Sequence, residues 1–190
     1  MAKVTKPDVS FDMFLFATPE QRVLRFLMSE PTTRFTPRVL VSRLKAVRGL
    51  GGMEGLMKTL ETLEALGIVE FLDSRRMIRV VDDHPHVQLM KKVYAICECE
   101  SVRVLVEPVS SRGILFGVHS DGTASTGNEI EILVISESSS EVHKSLAGHP
   151  QVKTFLLKCM TEAEFAQLKD TQPVLAQKIY RGTVLWGKSW

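Results

Sequence analysis

Two carboxylates separated by one residue, Glu129 and Glu131, stand at the head of an apolar run that continues Ile132, Leu133, Val134, Ile135. On a strand, residues two apart project from the same face, so both acids point one way while Ile130 and Ile132 enter the core. Two negative groups held that close repel unless a cation or a proton intervenes. A hard divalent ion such as Mg²⁺, carried with a nucleoside triphosphate, is one resolution. The same alternation also describes the solvated face of an edge strand, the commonest fate of alternating acids in a sheet. A second chemistry is cationic. Between Arg34 and Lys58 lie six basic residues (Arg34, Arg38, Arg43, Lys45, Arg48, Lys58) against the single acid Glu54, and Arg75, Arg76 and Arg79 follow nearby. Such a local excess suits the phosphates of duplex DNA even where the whole chain is nearly neutral.

The elements that must carry these groups are marked by capping chemistry. Thr18, Pro19 and Gln21 supply an N-cap, a proline at the first helical position and a capping-box partner, ahead of Val23, Leu24 and Leu27 on one face. Thr36 and Pro37 repeat the signature before Val39, Leu40 and Leu44, and this second helix is expected to end near Gly49, Gly51 and Gly52. A third runs from about Met53 to Leu66 with Leu56, Leu60 and Leu63 at helical spacing, and Gly67 stops it. Ile68 to Leu72 and Met77 to Val81 read as a hairpin around Asp73 and Ser74. Three helices and a two-stranded wing make a winged helix. The run Leu60, Leu63, Leu66, Gly67, Val69 resembles the end of the recognition helix in winged helix-turn-helix regulators. That resemblance implies DNA binding through the basic residues above and Thr59, the third helix entering the major groove and the wing arginines reaching the backbone or minor groove. The third helix nonetheless offers Glu54, Gly55, Lys58, Thr59 and Thr62, without arginine or asparagine for bidentate base readout. Packing or dimerisation is the other use of such a module.

Composition sets outer limits. The chain has 190 residues, 44% of them hydrophobic and 24% charged, which excludes disorder as its main state and allows one large or two small domains. A net charge of +2 excludes any argument for nucleic acid from the chain as a whole. Cys97, Cys99 and Cys159 are an odd, sparse set and point to a reducing compartment, hence a cytoplasmic location. Cys97 and Cys99, with His84 and His86 upstream, fail as a zinc cluster, because the segment reads as helix and residues two apart on a helix diverge. The N-terminus, Met1 to Phe14, lacks the apolar stretch of a signal peptide, and no run suits a membrane helix. Pro85 to about Val104 reads as a helical linker with Val87, Met90, Val93 and Ile96 among its apolar residues, and it is a candidate homodimer helix.

From Gly113 the pattern is a short strand over Ile114, Leu115 and Phe116, a glycine-containing loop to Asn128, and a strand from Glu129 to Ser136. This order resembles the minimal nucleotidyltransferases of the polymerase-beta-like superfamily, whose signature is a strand, Gly-Ser, a loop, and Asp-x-Asp on the next strand. The capping box Thr161, Glu162, Glu164 and the closing Gly182, Val184, Leu185, Trp186, Gly187 extend the likeness over nearly the whole chain. It implies that Gly117, Val118 and Gly122 take the nucleotide-binding loop positions and that Glu129 and Glu131 take the catalytic, metal-binding ones. The departures are specific. Val118 stands where the family has a phosphate-binding serine, both aspartates are replaced by glutamates, and the candidate third strand, Gln151 to Met160, has Lys153 and Lys158 but no acid. His119 adjoins the turn, although a lone loop histidine is more often exposed.

The expectation is therefore an α+β chain: a winged helix over residues 1–85, a helical linker over 86–108 and a small mixed-sheet nucleotidyltransferase-like domain over 109–190. Two functions stay open. One is a DNA-binding, transcriptional-regulator-like protein whose second domain has lost catalysis and retains a nucleotide site. The other is an active Mg²⁺-dependent enzyme moving a nucleotidyl group from an NTP to a protein or small-molecule hydroxyl.

Overall fold

The structure, a computed structural model, describes residues 11–149 and 152–189. Most of the N-terminal segment, Gln151 and Trp190 lie outside them. The chain is mixed α+β, and the first elements follow their caps. After α1 (Phe11–Leu15), α2 (Pro19–Ser29) opens on Thr18, whose side chain accepts from Gln21 N while Gln21 Oε1 accepts from Thr18 N. The Thr36 side chain caps α3 (Pro37–Arg43), which ends before the glycines and leaves residues 44–51 as turns. Next come α4 (Gly52–Ala65) and the antiparallel hairpin β1 (Val69–Leu72) and β2 (Met77–Val80). Asp73, Ser74 and Arg75, all at positive φ, close this hairpin. Phe35 adds an antiparallel bridge to Ile78, so from α2 onward the order is helix, bridge, helix, helix, hairpin. Val23, Leu27, Leu40, Leu56, Leu60 and Ile78 form the buried heart of this half.

Helix α5 (Pro85–Val106) runs about 33 Å at 1.5 Å per residue. Its buried positions are 87, 91, 95, 99, 102 and 106, a continuous i, i+4 or i+3 stripe. Val87 belongs to the first core, whereas Ala95, Cys99, Val102 and Val106 belong to a second one beneath the large sheet. The segment read as a linker is therefore a wall shared by both cores.

The second half is built on β3 (Arg112–Phe116), α6 (Val118–Asp121), β4 (Ile130–Ile135), α7 (Ser139–Leu146), β5 (Phe155–Met160), α8 (Glu162–Ala166), α9 (Leu168–Thr171), α10 (Pro173–Tyr180) and β6 (Thr183–Gly187). The sheet order is β5-β4-β3-β6, antiparallel except for the parallel β4–β5 pair. Strand alternation splits the core between two layers. Leu115, Ile132, Val134 and Trp186 face α5 and α7, while Ile114, Phe116, Leu133 and Ile135 face α8, α9 and α10. Trp186 packs over Gly113 and donates to Ser110 Oγ, so it is a core residue. Where a polar loop was expected, α6 forms a helical turn, and β4 begins one residue after Glu129.

The two halves touch through more than α5. Thr32 and Thr126 exchange hydrogen bonds, Thr32 N to Thr126 Oγ1 at 3.2 Å and Thr126 N to Thr32 Oγ1 at 3.0 Å. Gly122, at φ +76°, ends α6 with its Cα pressed on α5, where a Cβ would lie 2.3 Å from the Gln88 carbonyl oxygen. Gly122→Ala is thus expected to lower stability by about 2 to 5 kcal/mol, from left-handed strain plus overpacking, and denaturant unfolding measures it.

Candidate functional site

The turn after β3 is closed by its own neighbour. Phe116 pairs with Glu131 across the β3–β4 ladder, and a Cβ on Gly117, at φ +72°, would lie 2.1 Å from Glu131 Oε2. The positive φ is what favours glycine there, and the end of the Glu131 side chain lies against it. Glu131 shares its strand face with Leu133 and Ile135, toward α8, α9 and α10. Glu129, ahead of the strand, lies in a loop, so the expected same-face pair on one strand is corrected to one strand acid and one loop acid. Val118 is exposed, and Gly122, read as the second loop glycine, is buried against α5. Among the described residues no group of three or more His, Cys, Asp or Glu converges as a metal site.

A cavity of about 320 Å³ lies beside this turn, between the C-terminal end of α2, the middle of α5, the loop 124–130 and the start of β5. Glu129 and His119 line it; Gly117, Val118, Gly122 and Glu131 do not. The unforeseen residue is Lys91. It occupies the buried stripe of α5 at 2% exposure, lines the cavity, and donates to Asp82 Oδ1 at 2.6 Å. A buried ammonium is costly unless paired, and Asp82 supplies the pair from the segment after β2. The signal was the i, i+4 spacing of 87, 91, 95 and 99, which a lysine interrupts.

His119 is buried, contrary to the expectation of an exposed loop histidine. Its Nδ1 is buried and has no hydrogen-bond partner. Burial, reinforced by the Lys91 charge, pushes this imidazole below its ordinary value. Arg25, which does not itself line the cavity, pairs with the lining residue Glu98 at 2.5 Å and with Asp12 at 2.7 Å and lies over the Tyr94 ring. Burial pushes the Glu98 carboxyl up and the Tyr94 phenol up to about 12, so Tyr94 is a neutral hydroxyl at physiological pH.

The basic residues of the first half fall into two groups. Arg34, Arg38, Lys45, Arg48, Lys58 and Arg76 are exposed and form no ion pair among the described residues. Arg43 pairs with Glu30 at 3.1 Å, Arg75 with Glu61 at 3.1 Å while stacking on Phe71, and Arg79 with Glu70. Thr59 is corrected from a candidate contact to a core residue, being buried with its hydroxyl donating to the Gly55 carbonyl. Thr62 likewise donates to the Lys58 carbonyl. The exposed face of α4 carries Glu54, Glu61 and Glu64 against Lys58, so the cations concentrate on α3 and the turns beside it. Cys97, Cys99 and Cys159 form no disulfide, and burial pushes all three thiols up, Cys99 most.

No family model, curated protein or solved structure matches the chain.

The depressed His119 value carries a pH signature. Below about pH 6.5 the unfolded chain takes up a proton at His119 that the folded chain refuses. Stability is therefore full above that pH and is lost as pH falls through the folded-state value. Urea unfolding across this window should show the wild type losing stability relative to His119→Gln; parallel curves would contradict the burial.

Proposed function

We propose that the chain is a DNA-binding protein of transcriptional-regulator type: a winged helix joined to a nucleotidyltransferase-like domain that has lost catalysis. The observation that carries the first part is the unpaired cationic face, Arg34, Arg38, Lys45 and Arg48, on the element order helix, bridge, helix, helix, hairpin. Phosphate contacts need mobile, unneutralised cations, and these have them. The acidic outer face of α4 and the self-bonded hydroxyls of Thr59 and Thr62 favour backbone contacts over base readout. Arg76 at the hairpin turn is a further contact, whereas Arg43, Arg75 and Arg79 must first release their carboxylates.

Loss of catalysis is supported by charge. The Glu131 carboxylate fills the space above Gly117, so negative charge stands where a triphosphate would be held. Val118 brings no hydroxyl donor, and among the described residues no further acid joins Glu131 and Glu129 in a metal-holding group, which supports loss of the two-metal chemistry. Any nucleotide held by this half would be held without turnover.

Two outcomes are expected. Anisotropy titrations of labelled random duplex DNA against salt should give a linear log–log slope, reduced by about 0.9 for each contact removed by Lys45→Ala or Arg48→Ala. A flat salt dependence would contradict the reading. Incubation with Mg²⁺ and labelled ATP or GTP should transfer no label, and transfer abolished by Glu131→Ala would overturn the loss of catalysis.

A further inference from the structure

The cavity between the two halves has its own chemistry. One wall is apolar and aromatic, from Met28, Tyr94, Ala124 and Ile130. Facing it are two cations and two acids, of which Glu98 is already engaged by Arg25. Lys91 spends one of its three N–H donors on Asp82 and has no second partner among the described residues. Lys153 and the Glu129 carboxylate form no ion pair among them. His119, which also lines the cavity, is more than nine-tenths buried, and its Nδ1 has no hydrogen-bond partner. A merely structural cavity in this place would be apolar or absent, because the α5 stripe that crosses it is otherwise built of Val, Ala and Cys.

We propose that this cavity binds a small zwitterion of the α-amino-acid class. Its carboxylate is received by Lys91 and Lys153, its ammonium by Glu129, and its side chain by the Met28–Tyr94 wall. The balance of charge selects the class. A phosphate or other net anion would gain from the lysines but be repelled by the unpaired Glu129, and a cation would meet the reverse. The volume, about 320 Å³, is at the lower end of small-molecule sites. Because α2 and the loop 124–130 both line the cavity, an occupant joins the two halves. The proposal goes beyond DNA binding and is read without DNA.

Calorimetry of the full chain with a panel of free amino acids should find at least one that binds. Removing either of its charges, in the N-acetyl or the amide derivative, should weaken binding at least tenfold. Lys153→Ala and Glu129→Gln, both exposed substitutions whose folding is checked by circular dichroism, should each cost at least tenfold, and Lys144→Ala on α7 should cost nothing. The proposal is overturned if no amino acid binds at millimolar concentration, or if the derivatives bind as well as the parent. It is equally overturned if inorganic phosphate or AMP binds instead and Glu129→Gln strengthens it.

Discussion

One helix must satisfy two cores at once. Along α5 the positions 87, 91, 95, 99, 102 and 106 have to be buried, the first against the helices of the N-terminal half and the last four against the sheet. Three close approaches lie along this helix or beside it: Gly122 has no room for a side chain, α6 is held against it, and the loop up to Thr126 reaches the Thr32 segment. At the crossing point of the two cores the stripe carries a lysine. Its charge is tolerated because Asp82 stands at the end of the hairpin segment, so the ion pair also ties that segment to α5.

Much of the architecture was legible from caps and periodicity. Thr18, Thr36 and Thr161 each announced a helix through chemistry that does not depend on tertiary context, and the hairpin followed from alternating residues around a polar turn. Less legible were features decided by packing across the chain. Glycine at 117 and 122 reads as a phosphate loop in sequence, yet the space at 117 is taken by the Glu131 carboxylate and that at 122 by the Gln88 carbonyl. Strand alternation placed Glu131 but not Glu129, because β4 starts one residue later than the apolar pattern suggests. Lys91 broke the apolar period and hid the buried stripe, so α5 read as a connector.

The cationic face and the cavity lie on opposite sides of one logic. Among the described residues Arg38, Lys45 and Arg48, on α3 and its following turns, form no ion pair, so their charge is available to phosphates. The charges of the cavity are balanced and partly buried, where a low local dielectric strengthens each interaction and penalises any net excess. A net anion is thus favoured by the first surface and disfavoured by the second. The walls of the cavity come from α2 and from the loop before β4, so an occupant that prefers one arrangement of the halves changes the population of that arrangement by its differential affinity.

The most direct test is urea unfolding of Lys91→Met, with and without the amino acid that calorimetry identifies. Replacing a buried ammonium by an apolar chain of similar length leaves Asp82 solvated, so the account predicts an unfolding midpoint equal to or above that of the wild type and no further shift on adding the amino acid. A variant that is strongly destabilised, or that keeps the ligand-dependent shift, would show that Lys91 serves the fold alone and would contradict the account.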